Sequence, residues 1–401
     1  MTPQLMTGLV LDESDVSLKL GRINWDFADY LSSSYPEDIN NIHWYPAAFI
    51  PQIPSILIQT LARKDDMILD PFAGSGVTLI EAARQNRPFI GFDSNPFAID
   101  ITMAKFQALE CFDWGWAQSL IEEVERHRLT RTIPEYCKDE GISYEVFKWF
   151  HEATLRELLG IHEIINANAD GLHLLKIVLF SAILKSSCSQ RKHYTYVTDG
   201  CYPTELIRVS AKTLFNDQIA KTEKASQMIH KFFEKSYSRR YATPYNRIQV
   251  GDARNLSSVA TGEIGLIVTS PPYLGCNDYA RSMRLTQLFF PSQTLRSSAE
   301  LEIGARWKRK RTSAADVYLR DMKQSLNECK RVLKKNGYLA LVYGQGTGHV
   351  RRSDVVQQVW DYVTNDLEFT KVFDTGRKVK FHRIRFPTVM NERVAVFRSV
   401  S

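Results

Sequence analysis

Apolar positions along this chain follow two rhythms. Short unbroken runs, Met67-Ile68-Leu69, Phe89-Ile90-Gly91-Phe92, Ile264-Gly265-Leu266-Ile267-Val268 and Leu339 to Val342, have the length of strands buried on both faces. They alternate with helical stretches such as Val77 to Arg84, which predicts an α/β fold built on a doubly wound, mostly parallel sheet. Between about Glu110 and Asn246 the strand-like runs disappear. Apolar residues there recur at helical spacing, in Leu155, Leu158, Leu159, Ile161 and Ile164-Ile165, then in Leu172, Leu174-Leu175, Ile177-Val178 and Phe180. The pattern divides the chain into an N-terminal arm (1–21), a first part of the sheet domain (22–109), a large helical insertion (110–247) and a second part of the sheet domain (248–401). Met1 to about Lys19 reads as loosely held.

The first strand run leads through Asp70-Pro71-Phe72-Ala73-Gly74-Ser75-Gly76 into a helix, so two glycines sit at a strand-to-helix turn. Doubly wound sheets take nucleotide-like cofactors at this place. Gly74 and Gly76 can adopt positive φ and let a ligand approach the backbone. The next strand ends on Asp93-Ser94, about twenty residues later, where a carboxylate can accept both ribose hydroxyls. Asp70 then separates the candidate cofactors. A carboxylate at the strand end repels a pyrophosphate lying over the helix N-terminus, and the phosphate-loop pattern needs lysine where this chain has Val77. S-adenosylmethionine has no phosphate and carries a sulfonium and an ammonium, for which Asp70 is a favourable neighbour. Asp70, Pro71, Phe72, Gly74, Ser75, Gly76, Asp93 and Ser94 are therefore read as cofactor-binding.

A second group of polar residues, Ser270-Pro271-Pro272-Tyr273, follows the strand run Ile264 to Val268 and falls at the same sheet edge. Pro271 and Pro272 have no N–H and a fixed φ, so they hold neighbouring carbonyls outward. Acceptors around Ser270 and Pro271 can bind the two N–H groups of an exocyclic base amine. This draws the nitrogen toward tetrahedral geometry and frees its lone pair for attack on a methyl group. Tyr273 is expected to stack on a base taken out of its helix.

With both runs in view, the chain resembles the amino-methyltransferases that modify exocyclic amines of DNA bases. Their motif is Asp, Asn or Ser, then Pro-Pro, then an aromatic residue, and the serine form here resembles the cytosine-N4 branch. Upstream, His43-Trp44-Tyr45-Pro46-Ala47-Ala48-Phe49 is similar to the family segment that closes over the methionine end of the donor, which implies Tyr45 and Pro46 as cofactor residues. Val250-Gly251-Asp252-Ala253 resembles the strand end that contacts the donor adenine, implying Asp252 and Ala253. Arg331 to Val342 resembles the helix-turn-strand after the clamp, and Arg385 to Phe397 the last hairpin strand. The resemblance implies a Rossmann-like methyltransferase sheet with an antiparallel C-terminal strand. It also implies S-adenosylmethionine as cofactor, duplex DNA as substrate and a restriction endonuclease as a separately acting partner. Val77 and Ala48 depart from the usual threonine and lysine.

Charge adds a polymer partner to this picture. The net charge is only +6, but Arg306-Trp307-Lys308-Arg309-Lys310-Arg311 and Arg377 to Arg385 are dense cationic runs with interleaved aromatics. Lys308, Arg309, Arg311 and Arg383 are read as phosphate contacts. Ser189, Arg191, Lys192 and Tyr194, in the polar stretch from Ser186 to Pro203, are read as further DNA-binding groups. Six cysteines without a C-x-x-C pair point to a reducing compartment without structural zinc. No cysteine follows a proline, so Cys276 reads as a packing residue and not as the thiolate of carbon-5 methylation. No metal site, membrane span or signal peptide is expected, and the reading is of a cytoplasmic protein. Three alternatives stay open: an adenine-N6 DNA enzyme, an RNA guanine-N2 or adenine-N6 enzyme, and a nucleic-acid-binding protein with a vestigial pocket.

Overall fold

In the computed structural model the described residues are 13–27, 38–48, 50–109, 113–168, 173–188, 202–233, 247–290, 299–305, 307–308, 313–344, 354–378 and 391–400. The apolar runs become the strands β1 (Met67–Asp70), β2 (Phe89–Asp93), β3 (Ile248–Val250), β4 (Ile264–Thr269), β5 (Leu333–Gly344), β6 (Phe369–Lys378) and β7 (Asn391–Ser399). Among the described residues they form one sheet in the order β3-β2-β1-β4-β5-β7-β6. The pairs from β3 to β5 are parallel, and β7 lies antiparallel between β5 and β6. This is the expected doubly wound, mostly parallel Rossmann-like sheet with an antiparallel C-terminal strand.

Side chains alternate across the sheet with the period of two that a strand imposes. Ile68, Leu266, Val268, Ala340, Val342, Val394 and Val396 enter one core, while Leu69, Ile267, Leu339, Leu341, Ala395 and Phe397 enter the other. The first core is covered by α1 (Glu13–Gly21), α2 (Gln52–Leu61), α3 (Val77–Arg84) and α4 (Pro96–Leu109). Both faces being covered explains why the strands read as continuous apolar runs.

The insertion consists of α5 (Trp114–Arg126), α6 (Ile133–Asp139), α7 (Glu152–Asn168), α8 (His173–Ser186) and α9 (Ala211–Phe233), around a core of its own. Helix α8 is apolar on every side because it serves two cores. Leu174, Ile177 and Phe180 face the sheet domain, and Leu175, Val178 and Leu179 face the insertion. Two short helices after Ser270-Pro271-Pro272-Tyr273, α10 (Tyr279–Ser282) and α11 (Arg284–Phe289), lead back to the insertion, whose core takes Leu285, Leu288 and Phe289. The second face of the sheet carries α12 (Ala314–Val332) and α13 (Val355–Asp361).

The expected loose arm is different from Glu13 onward. Val16 and Leu20 of α1 are buried in the sheet core, and the Arg398 guanidinium holds Glu13 at 2.8 Å. Buried Val16 and Leu20 and the ion pair at Glu13 help fix a helix too short to announce itself by periodicity.

Candidate functional site

Strand order reverses between β1 and β4, so the carboxyl ends of these neighbours diverge and leave a crevice. The loop after β1 carries the glycine turn and the loop after β4 carries the Ser-Pro-Pro-Tyr turn. The sheet thus brings together two runs separated by about two hundred residues. A cleft of about 870 Å³, open to solvent, lies over these ends.

The glycine turn is built as the sequence requires. Gly74 and Gly76 have φ of +52° and +77°, and a Cβ on Gly76 would lie 2.5 Å from Thr102 Cγ2. From behind, α4 holds the turn by its carbonyls: Thr102 Oγ1 donates to Gly74 O at 3.1 Å and Lys105 Nζ to Ser75 O at 2.5 Å. Lys105 is fully buried, and burial lowers its ammonium to about 7. From the side, Asp93 accepts the Gly74 N–H at 2.8 Å and the Asn95 N–H at 2.8 Å. Burial raises the Asp93 carboxyl to about 6, against the pull of those two N–H groups.

Of the residues expected to bind a cofactor, Tyr45, Pro46, Pro71, Phe72, Gly74, Ser75, Asp93, Ser94, Asp252 and Ala253 line the cleft. Gly76 sits one residue behind it as the N-cap of α3. Asp70 lies beneath the lining: it is 1% exposed and accepts Thr269 Oγ1 at 2.6 Å and the Phe72 N–H at 3.1 Å. Its side chain ties the two strand ends together, and burial raises its carboxyl to about 6. Asp252 reaches the cleft with its carboxylate already held by Arg254, whose Nη2 is 2.6 Å away and whose Nε is 3.0 Å from both oxygens.

Tyr45 is positioned by its neighbours on both sides. Its ring stacks on Tyr279 at 5.9 Å between centroids, and two residues earlier His43 Nδ1 meets Ser181 Oγ of α8 at 2.8 Å. Burial lowers the His43 imidazole to about 3, so it is neutral at ordinary pH.

In the Ser-Pro-Pro-Tyr turn, Ser270 and Pro272 line the cleft. Tyr273 is half-buried, with its hydroxyl 3.3 Å from Ser270 Oγ and its ring edge-on to Tyr343 at 5.5 Å. Pro271 and Tyr273 are both outside the lining residues, so the expected stacking ring stands behind the cleft wall. Cys276 is buried, 3% exposed, in keeping with a packing residue.

The residues of the cleft wall that sequence reasoning missed include two with polar side chains, Tyr279 and Glu302. The Glu302 carboxylate accepts the N–H groups of Tyr279, at 2.7 Å, and Ala280, and burial raises it to about 7. Neither belongs to a recognisable motif, and only the approach of segment 299–305 to the clamp loop makes them neighbours. Among the described residues that line the cleft, Asp93, Asp252 and Glu302 are acidic and none is basic.

The expected DNA contacts are less well placed. Lys308 donates to Glu300 O and Glu302 O, both at 2.8 Å, which closes its own loop. Arg377, at the start of the second run, is buried and paired with Glu392. Ser189, Arg191, Lys192, Tyr194, Arg309, Arg311 and Arg383 lie outside the described residues. Among the described residues no helix is long and apolar enough to cross a membrane.

Comparison with known proteins finds a family match for part of the chain. Residues 13–104 match the DNA methylase family, a span that holds Tyr45, the glycine turn and Asp93 but not the Ser-Pro-Pro-Tyr turn. The chain is 37% identical over 92 residues to the Type II methyltransferase M.MjaII of Methanocaldococcus jannaschii, covering 22% of this chain and 17% of that protein. It is 48% identical over 40 residues to the Type II methyltransferase M.HindIII of Haemophilus influenzae, covering 10% of this chain and 13% of that protein. The similarity thus spans less than a fifth of either relative. Among solved structures, a SAM-dependent methyltransferase from Methanosarcina mazei aligns over 89% of this chain and 99% of its own, at 11% identity and a TM-score of 0.33.

Proposed function

We propose that this chain, whose residues 13–104 match the DNA methylase family, is an S-adenosylmethionine-dependent methyltransferase acting on an exocyclic base amine of duplex DNA. The observation that carries the reading is the joining of an acidic cleft to an amine-binding turn at one strand reversal. With Asp93 and Glu302 on its wall, Asp252 already paired with Arg254, and no basic side chain among the described lining residues, the cleft disfavours a phosphate-bearing cofactor and favours a cationic one. Its turn glycines and the Asp93 carboxylate suit the ribose of a nucleoside.

When bound, S-adenosylmethionine supplies an electrophilic methyl group. The chain's own residues do the rest. Asp93 accepts ribose hydroxyls with the lone pairs that Gly74 and Asn95 leave open. Asp252 and Ala253 form the adenine end, and Arg254 fixes the Asp252 carboxylate there. Tyr45 and Pro46 close over the methionine end. Ser270 Oγ accepts one N–H of the target amine, which draws the nitrogen lone pair out of conjugation and toward the methyl group. The methylated nitrogen is cationic and acidic, so it gives its proton to solvent water without a strong base.

Ser270 in the first clamp position supports cytosine N4 as the target. The relatives named as Type II methyltransferases support a role as the modifying half of a restriction–modification pair. The test is to incubate the protein with duplex DNA or RNA and labelled donor, then identify the product nucleoside by mass spectrometry. The expected product is N4-methylcytosine from DNA. N6-methyladenine would overturn the choice of base, and label in RNA alone would overturn the choice of polymer.

A further inference from the structure

Two consecutive prolines create a mechanical problem for a clamp. Neither Pro271 nor Pro272 can donate a hydrogen bond, so the turn can be fixed only through its carbonyls and through the residues beside it. One such fixture comes from beneath. The Tyr318 hydroxyl of α12 donates to Pro272 O at 2.9 Å and lies 2.6 Å from the Tyr343 hydroxyl near the end of β5. A phenol has one proton. Since Tyr318 gives its proton to Pro272, Tyr343 donates to Tyr318, and the bonds form a one-way chain from β5 to the clamp.

Both rings are about 1% exposed, and burial pushes both phenols far up, so the chain stays neutral. The Tyr343 ring also meets Tyr273 edge-on at 81°, and the Tyr273 hydroxyl reaches Ser270 Oγ. The rear of the Tyr318 ring is filled by Gly304, where a Cβ would lie 2.8 Å from the ring.

We propose that Tyr318 and Tyr343 are positioning residues for methyl transfer. Through one hydrogen-bond chain and one ring contact they set the Pro272 carbonyl and the Tyr273 ring, and with them the geometry of Ser270. This rests on the function proposed above. It assigns the two tyrosines no contact with donor or base, and it predicts a loss confined to the rate of the chemical step.

The test uses the full chain with Tyr318→Phe and Tyr343→Phe, which keep the rings and remove one hydroxyl each. Thermal melting confirms folding, calorimetry gives donor affinity, and steady-state assays on duplex DNA give kcat and KM. Misplacing reacting groups by about an ångström can cost on the order of a hundredfold in rate. Tyr318→Phe is expected to lower kcat about tenfold to a hundredfold, with donor affinity and KM near wild type. The double variant is expected to match Tyr318→Phe, because both changes cut one chain. A folded Tyr318→Phe with wild-type kcat, or with donor affinity lost in parallel with kcat, overturns the proposal. A wild-type chain that methylates no DNA overturns the function itself, and the proposal with it.

Discussion

Asp93 shows how much one side chain does in this cleft. It lines the cleft and also holds the Gly74 N–H, so under the proposed function it both binds the donor and shapes the turn. Asp93→Ala is therefore expected to weaken S-adenosylmethionine binding at least tenfold in calorimetry, since each charge-assisted hydrogen bond lost costs ~1.5–3 kcal/mol. It is also expected to lower the melting temperature, because the glycine turn loses an acceptor. Binding should depend on pH as well. The Asp93 carboxyl sits at about 6 and Glu302 at about 7, both raised by burial, and only the ionised forms attract a cation. Donor affinity should be level above that window and fall as pH drops through it, and Glu302→Gln should remove the upper part of the fall. Asp93 was legible in the sequence because it ends an apolar run at a fixed distance from the glycines. Glu302 was not, because nothing local marks a residue that reaches the pocket only through loop packing. Asp70 was legible as a strand end, but its burial under Thr269 depends on the pairing of β1 with β4, which no local pattern states.

At the scale of elements, strands and the glycine turn were the clearest features. A strand covered on both faces must be apolar throughout, and a positive φ before a helix asks for glycine. Gly76→Ala is expected to destabilise the fold in chemical denaturation by more than the roughly 1–3 kcal/mol of backbone strain, since its Cβ also meets Thr102. The helices of the insertion were legible from their stripes. That α8 belongs to two cores at once was not, because a helix with apolar residues on all sides gives no single direction. Nor was α1, whose nine residues bury only Val16 and Leu20. Cys276→Ser is expected to lower stability by placing a hydroxyl in a buried site, while kcat stays near wild type, because methylation of an exocyclic amine needs no covalent adduct.

For the whole molecule, a net charge of +6 says little until the charges are placed. Lys308 closes its own loop and Arg377 is paired in the interior, so part of each cationic run is structural. DNA affinity is expected to fall steeply with salt, and the slope to flatten when Arg309, Lys310 and Arg311 are replaced by alanine. Lys308→Ala is expected to affect donor binding more than the salt slope, because it loosens the segment carrying Glu302. The central claim is that the acidic cleft and the Ser-Pro-Pro-Tyr turn are halves of one site for methylating DNA. It is tested most directly by transfer of labelled methyl from S-adenosylmethionine to duplex DNA by the wild-type protein and by Ser270→Ala, with donor affinity measured on both. The account predicts label in the DNA with the wild type, and loss of most of it in Ser270→Ala at unchanged donor affinity. A wild type that binds the donor and never labels DNA, or a Ser270→Ala variant as active as the wild type, would contradict it.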